Sequence, residues 1–233
     1  MSQPQPIAST DVRQRNFETL YAWLIKTIGE RRYSRVNNIL EFGCGKGGFI
    51  DLYRRPGQSG FAIDLHDYSE HYPQDIRFLL PRADGCIPLV DQSIDLIVSH
   101  SVVEHLTEPA KVFADLNRVL KVGGLAFISV SPLYFSPTGS HMRHLPDWDH
   151  LNPASEHYMT KSPLGGDGRA GSHLNQYTVK DFLCEVAELP WNIVRFERRL
   201  VSDKVVPDFV ERGRWSMLDL MTREFRLVAE RIA

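Results

Sequence analysis

The sequence contains no long hydrophobic run. An apolar stretch of about 18 residues is needed to cross a bilayer, and the best stretch of this chain, residues 122–130, is interrupted by two glycines and a serine. Residues 1–16 also lack the basic and apolar sections of a secretory signal. These absences predict a cytoplasmic protein with no membrane partner.

An excess of charge of one sign is also missing. The chain has 27 Lys and Arg against 29 Asp and Glu, for a net charge of −2, and a nonspecific nucleic-acid binder needs a basic field. Nucleic acid is therefore not an expected partner.

Cysteine is scarce as well. The sequence has three cysteines, Cys44, Cys86 and Cys184, an odd number with no CxxC spacing. This argues against a disulfide framework and against a zinc knuckle.

The remaining composition is typical of a globular protein. A chain of 233 residues that is 42% hydrophobic and 24% charged predicts a single domain over residues 1–233. Residues 10–30 are predicted to form an amino-terminal helix, because apolar side chains from Phe17 to Ile28 recur at helical spacing along one face.

Short apolar runs alternate with helical patterns from residue 36 onward. Strands are predicted at residues 36–42, 60–65, 76–80, 94–99 and 125–130, with helices at 47–53 and 109–120. This alternation is typical of βαβ units and a parallel sheet, so the fold class is α/β. A helix starting near Thr178 and two β-prone runs at 192–200 and 222–232 complete the chain.

A glycine-rich turn, ILEFGCGKGGF at residues 39–49, stands between the first strand and the next helix. Gly43 and Gly45 let the backbone turn tightly and approach a ligand at the helix N-terminus. Alone, such a turn also fits a structure with no ligand. Asp64, at the end of the second strand, adds a carboxylate able to accept both ribose hydroxyls, which indicates an adenosine-type cofactor.

Two adenosine cofactors then compete, a nicotinamide dinucleotide and S-adenosylmethionine. Glu41 places a carboxylate where a sulfonium and an ammonium are favourable neighbours and a pyrophosphate is not. Asp84, after the third strand, can accept from an adenine amino group. Gly47 and Gly48 also depart from the third-glycine spacing of a dinucleotide fingerprint. These features favour S-adenosylmethionine.

Taken in order, ILEFGCGKGGF, AIDL and the segment from RADG to LAFISV resemble a class I S-adenosylmethionine-dependent methyltransferase of the small-molecule type, over residues 38–130. The resemblance implies a Rossmann-like, seven-stranded, mostly parallel sheet with helices on both faces and an antiparallel C-terminal hairpin. It also implies a cofactor site with four parts. The residues are Glu41, Gly43, Cys44 and Gly45 at the methionine end, Asp64 and Leu65 at the ribose, Asp84 and Gly85 at the adenine, and Ser99, His100 and Ser101 beneath the sulfonium.

Glu104 and His105 follow the fourth strand. Ubiquinone-type O-methyltransferases have a similar E-x-x-E-H segment that holds a divalent metal, but Ser101 replaces the first acid here, so no metal is predicted. His105 is a candidate general base near the methyl acceptor. The alternative is that this segment only starts the next helix and packs under the sheet.

Residues 131–177 form an insertion without sustained periodicity, predicted to be a substrate lid because ligands bind at this edge of such sheets. Its His141 and His144 are candidate bases, and its aromatic side chains are candidates for covering a substrate ring. Glycines at residues 165, 166, 168 and 171 permit hinge movement. The alternative is a surface loop whose histidines bond to its own backbone.

The sequence therefore predicts S-adenosylmethionine-dependent methylation of a small molecule or a saccharide, such as a glycan precursor. Oxygen is favoured as the acceptor atom because the histidines offer bases for a hydroxyl. Two alternatives stay open, namely a noncatalytic binding or scaffold module on the same fold and an NAD-dependent oxidoreductase.

Overall fold

The computed structural model describes residues 10–141, 145–158, 174–210 and 214–233. These ranges contain six α-helices and seven strands. They are α1 (Thr10–Ile28), α2 (Glu30–Tyr33), β1 (Asn38–Phe42), α3 (Phe49–Tyr53), β2 (Ser59–Ile63), β3 (Ile76–Leu79), β4 (Ile94–His100), α4 (Pro109–Val119), β5 (Leu120–Val130), α5 (Val179–Ala187), β6 (Trp191–Leu200), α6 (Met217–Met221) and β7 (Thr222–Arg231). Within these described ranges, no helix combines the length and the apolar character that a bilayer crossing requires.

The strands form one sheet in the order β3-β2-β1-β4-β5-β7-β6. β1 to β5 run parallel, whereas β7 pairs antiparallel with both β5 and β6. This confirms the predicted Rossmann-like sheet with an antiparallel C-terminal hairpin. The chain winds outward from β1 to β3 and then crosses to β4, so β1 and β4 flank the switch point where open sheets of this kind bind ligands.

Helices cover both faces of the sheet, as predicted. On β1, Ile39 packs in the apolar cluster under α1, α2 and α3, while the adjacent Leu40 packs in the cluster under α4 and α5. Successive side chains of a strand point to opposite faces. A strand buried on both faces therefore has the continuous apolar run found at residues 39–40 and 96–98.

The ends of α4 and α5 follow local capping rules. Pro109 occupies the first turn of α4, and the Thr178 hydroxyl accepts from the Asp181 backbone N–H at 3.2 Å to start α5. The structure differs from the predicted pattern just after α4, because β5 begins at Leu120 rather than near Leu125. Leu120 pairs with Ile94 of β4, and the pairing then shifts so that Leu96 lies opposite Leu125. The extra residues of β5 lie in this shift and include Gly123, which has a positive φ of 79°.

The first part of the insertion has a core of its own. Tyr134, Phe135 and Trp148 are buried with Leu151 and with residues of the β6–β7 region, including Leu220. The missing periodicity of this segment therefore does not mean that it is unpacked. Its apolar side chains pack irregularly against a distant part of the chain.

Candidate active site

A cleft lies at the carboxyl ends of β1 and β4, at the switch point of the sheet. It encloses about 260 Å³, and we call it the switch-point cleft. It is lined by Asn16, Phe17, Glu41, Gly43, Cys44, Gly45 and His100. Five residues assigned to the cofactor by resemblance thus come together in one place.

The two glycines of the turn differ in what they permit. Both have positive φ, 73° at Gly43 and 54° at Gly45. A Cβ atom at Gly43 would lie 2.2 Å from a methyl group of Val102, so packing demands a glycine there. A Cβ at Gly45 would meet nothing within 4 Å. The backbone at Gly45 therefore faces open space, which suits close approach of a ligand.

Glu41 joins β1 to the start of α3. One carboxylate oxygen accepts from the Phe49 N–H at 2.8 Å and the other accepts from the Ile50 N–H at 2.9 Å. The side chain is only 4% exposed, and a Cβ at Gly48 would lie 2.0 Å from its Oε1. Glu41 therefore caps α3 and, at the same time, gives the switch-point cleft a negative wall.

Tyr72 supports the glycine turn, although no sequence motif marks it. Its hydroxyl donates to the Cys44 carbonyl at 3.0 Å and accepts from the Gly47 N–H at 3.1 Å. Burial raises the pKa of the Cys44 thiol to about 12. Cys44 is thus a neutral, buried side chain at physiological pH, and its part in the cleft is steric.

Asp64 follows β2 and lies beside the turn. Its Oδ2 accepts from the Gly45 N–H at 2.9 Å, and its Oδ1 accepts from the His66 N–H at 3.3 Å. The next side chain, Leu65, is 80% exposed. The carboxylate thus stands at the rim of the cleft, next to an apolar side chain that a planar ring could cover.

Asp84 and Gly85 form an exposed turn after β3. The Cys86 N–H donates to Asp84 at 2.9 Å, and this hydrogen bond lowers the pKa of the Asp84 carboxyl. Gly85 has a φ of 83°. Neither residue is among those that line the switch-point cleft, so their assignment to the adenine stays a prediction.

A second cavity adjoins the first at the carboxyl ends of β4, β5 and β6. It encloses about 500 Å³, and we call it the acceptor-side cavity. Its lining residues are Asn16, Thr19, Leu20, His100, Ser101, Ser131, Arg199, Leu200, Arg223, Glu224 and Arg226. Asn16 and His100 line both cavities. Three residues were predicted to lie beneath the sulfonium. Of these, His100 and Ser101 line this cavity, whereas Ser99 is fully buried.

The turn Val103–His105 carries the segment compared with a metal motif. Glu104 is 1% exposed, and its Oε1 accepts from the Ser131 N–H at 3.1 Å. Burial raises the pKa of the Glu104 carboxyl to about 8. Across the described ranges, no three His, Cys, Asp or Glu side chains form a metal-binding group.

Two of the three candidate bases come together. The rings of His105 and His141 lie 5.3 Å apart, centroid to centroid, although residues 105 and 141 belong to different loops. Neither is among the described residues lining the two cavities. The third candidate, His144, lies outside the described residues, as do residues 159–173 of the predicted lid.

Three aromatic residues and one histidine in the first part of the insertion are structural. His150 is buried, its Nε2 lies 2.6 Å from the Tyr134 carbonyl, and burial lowers the pKa of its ring. Tyr134, Phe135 and Trp148 belong to the insertion's own core, which we call the third core because it is separate from the two clusters on the faces of the sheet. They pack against protein, so the expectation that they cover a substrate ring is wrong.

Two groups of lining residues were not identified from motifs. Asn16 and Phe17 bring α1 over the switch-point cleft, where Phe17 meets the His100 ring edge-on at 5.7 Å. The other group consists of Arg199, Arg223 and Arg226. A signal for the second group exists in TREFRLVAER, where charged side chains interrupt an otherwise β-prone run.

Comparison with known proteins identifies relatives of this chain. A family model described as a methyltransferase domain matches residues 13–164. An uncharacterized methyltransferase of Mycolicibacterium paratuberculosis is 30% identical over 193 residues, which cover 80% of this chain and 71% of the relative. A probable S-adenosylmethionine-dependent methyltransferase of Mycobacterium tuberculosis is 33% identical over 107 residues, which cover 43% of this chain and 38% of the relative. The match to a Mycobacteroides abscessus methyltransferase spans 60% of that relative's length.

Solved structures share the fold. A protein from Pyrococcus horikoshii superposes with a TM-score of 0.62 at 17% identity, covering 96% of this chain and 92% of that one. An S-adenosylmethionine-dependent methyltransferase from Mesorhizobium loti has a TM-score of 0.58 at 21% identity, covering 92% of this chain and 96% of that one. At these identities the likeness concerns architecture alone.

Proposed function

The chain belongs to the family of S-adenosylmethionine-dependent methyltransferases, and from that membership we propose that it methylates a small molecule or a glycan precursor, with oxygen as the acceptor atom. The observation that carries the proposal is the glycine turn at the switch point, flanked by the carboxylates of Glu41 and Asp64.

The charge of the switch-point cleft fits a cationic cofactor. Bound S-adenosylmethionine supplies a methyl group already activated by a positively charged sulfonium. Glu41 lines the cleft and Asp64 stands at its rim, so opposite charges attract there, whereas the pyrophosphate of a dinucleotide would be repelled. The open space at Gly45 leaves room for the ligand beside the backbone.

The chain itself has four tasks in this reaction. The glycine turn and Asp64 hold the cofactor end of the reacting pair, and α1 covers the cleft through Asn16 and Phe17, which excludes water. The adjoining acceptor-side cavity aligns the acceptor in line with the methyl group. For a hydroxyl acceptor, the remaining task is to remove a proton.

His105 and His141 are the described candidates for holding that proton. Their rings lie 5.3 Å apart, centroid to centroid, and histidine is the side chain most often used as a general base. His150 is instead assigned a structural role, because it is 2% exposed and its Nε2 lies 2.6 Å from the Tyr134 carbonyl. We assign the base to the His105–His141 pair, with His144 retained as a third candidate.

Calorimetry with S-adenosylhomocysteine tests the cofactor site. Asp64→Ala removes a charged acceptor from the ribose position, and we expect binding to weaken by about 1.5 to 3 kcal/mol, roughly ten- to hundredfold. Asp67→Ala is the matched control, because Asp67 stands three residues later on the surface and accepts from the Ser69 N–H at 2.9 Å. It should leave the affinity unchanged.

Three outcomes of this experiment would count against the proposal. The first is an unchanged affinity in Asp64→Ala, and the second is an equal loss in Asp67→Ala. The third is that NAD, rather than S-adenosylhomocysteine, raises the melting temperature of the wild-type protein. The melting temperature of each unliganded variant shows whether loss of the Gly45 hydrogen bond alone disturbs the fold.

A further inference from the structure

We propose that the methyl acceptor carries an anionic oxygen group, a carboxylate or a phosphate, which Arg199, Arg223 and Arg226 bind in the acceptor-side cavity. The inference rests on the proposed function, since it concerns the acceptor of that reaction. It adds the substrate class, which neither the family nor the cofactor site specifies.

The cavity has an excess of positive charge, in a chain whose overall charge is −2. Its lining includes three arginines, and Glu224 is the carboxylate among the lining residues. Glu224 contacts two of the arginines: its Oε2 accepts from Arg199 at 3.2 Å, and its Oε1 accepts from the Nε of Arg226. One carboxylate cannot neutralise three guanidinium groups, so the cavity favours an anion.

Arg226 is a buried cation with donors still available. It is 5% exposed, and only its Nε has a hydrogen-bond acceptor within the described part of the chain. Arg226 forms an ion pair with Glu224, and its guanidinium lies 5.9 Å from the centre of the Trp23 ring. Since Arg226 also lines the cavity, we assign its remaining N–H groups to a ligand there.

Arg223 supplies a second set of donors at the start of β7. It is exposed, and it makes no hydrogen bond or ion pair with any residue that the structure describes. A guanidinium can donate two parallel hydrogen bonds to a carboxylate or a phosphate. Arg223 therefore suits an anion that enters from solvent toward the buried Arg226.

Strand register fixes the geometry of the group. Arg199 on β6 lies directly opposite Glu224 on β7, and Arg226 follows two residues later, on the same face as Glu224. Across the other neighbour, Ser129 of β5 pairs with Arg226. Arg199 and Arg226 thus stand on one face of a rigid sheet, which suits a specific binding site. Arg223 lies where the pairing shifts between Arg199–Glu224 and Leu200–Thr222, and it lines the cavity from this irregular start of β7.

The site is close enough to the cofactor to serve the acceptor. Asn16 and His100 line both the acceptor-side cavity and the switch-point cleft. An acceptor anchored by its acidic group at the arginines can therefore extend past His100 toward the methyl group.

Small anions provide a direct test that does not require the true acceptor. The protein is saturated with S-adenosylhomocysteine, and inorganic phosphate or acetate is titrated at constant ionic strength while the melting temperature is followed. We expect at least one of the two anions to stabilise the wild-type protein. In Arg223→Ala the apparent dissociation constant should rise about tenfold or more.

Arg77→Ala is the matched control. Arg77 is also exposed and without an ion pair among the described residues, but it lies on β3 at the opposite edge of the sheet. Its response to phosphate and acetate should equal that of the wild type. Because Arg223 is exposed, its replacement should leave the fold intact. Comparing the two anions shows which group the site prefers.

The readouts separate failure of this inference from failure of the proposed function. No response of the wild type to either anion, or an equal response in Arg223→Ala, would overturn the inference. A loss of S-adenosylhomocysteine affinity in Arg223→Ala would assign the arginine to the cofactor carboxylate, and would also overturn it. If the wild type does not bind S-adenosylhomocysteine at all, the proposed function itself fails.

Discussion

The buried carboxyl of Glu104 makes the stability of the protein depend on pH. Burial raises its pKa from an ordinary value of 4.5 to about 8, so the folded state binds this proton more tightly than the unfolded state does. The resulting stabilisation is complete below about pH 4.5. It is lost progressively as the pH rises to about 8, where the folded protein also releases the proton.

Glu104→Gln should remove this dependence, because the amide keeps the shape and an acceptor for the Ser131 N–H but does not titrate. Between pH 5 and 8, the wild-type free energy of unfolding should fall relative to that of the variant by up to about 1.4 kcal/mol per pH unit. Urea unfolding across this range measures it. Glu70→Gln, at an exposed site, is the control, and parallel profiles for wild type and Glu104→Gln would refute the prediction.

At the scale of elements, α3 depends on a residue outside itself. This helix has only five residues, and its first N–H groups have no partners within the helix. Glu41 of β1 accepts from two of them. The glycine turn between β1 and α3 is therefore fixed to the start of α3 by the carboxylate of Glu41, which comes just before the turn.

Glu41→Gln should weaken this closure. The amide retains one acceptor oxygen but turns an NH₂ group toward a backbone N–H, so we expect a loss of about 1.5 to 3 kcal/mol in the free energy of unfolding. Urea unfolding gives the size of the loss, and hydrogen exchange should be faster in the glycine turn and α3. The exposed Glu18→Gln on α1 serves as control. Unchanged exchange in the turn would mean that Glu41 does not hold it.

In the tertiary structure, Trp23 connects α1 to the C-terminal hairpin. Its indole N–H donates to Glu197 on β6 at 2.9 Å, across 174 residues, and Arg195 stacks on the ring at 4.9 Å. The hydrogen bond lowers the pKa of the Glu197 carboxyl. Because α1 also lines both cavities through Asn16, this contact links the C-terminal hairpin to the candidate active site.

Trp23→Phe keeps an aromatic ring but loses the hydrogen bond to Glu197. We expect about 1 to 3 kcal/mol of lost stability, faster hydrogen exchange in α1, and severalfold weaker binding of S-adenosylhomocysteine. Trp215→Phe is the control, since Trp215 packs in the third core beside Phe135. If both variants change cofactor affinity equally, the effect is not transmitted through α1.

Much of the fold follows from local patterns, and so does the position of the glycine turn. The strand, the turn and the acid at residue 64 are encoded within 26 consecutive residues, and in the structure the Gly45 N–H donates to Asp64. The roles of these residues toward a cofactor stay predictions. By contrast, His105, His141 and His150 look alike in the sequence. Only burial and the Tyr134 carbonyl separate the structural His150 from the other two.

Residue patterns alone predicted the α/β alternation and the position of the glycine turn, because strand and helix periodicity, capping and glycine geometry act over a few residues. The packing of distant segments placed α1 over the cleft, gave the insertion a core of its own and brought three arginines to one cavity. Those features join residues from opposite ends of the chain. Such contacts depend on how helices and strands pack against one another, and the pattern of neighbouring residues does not specify which distant elements meet.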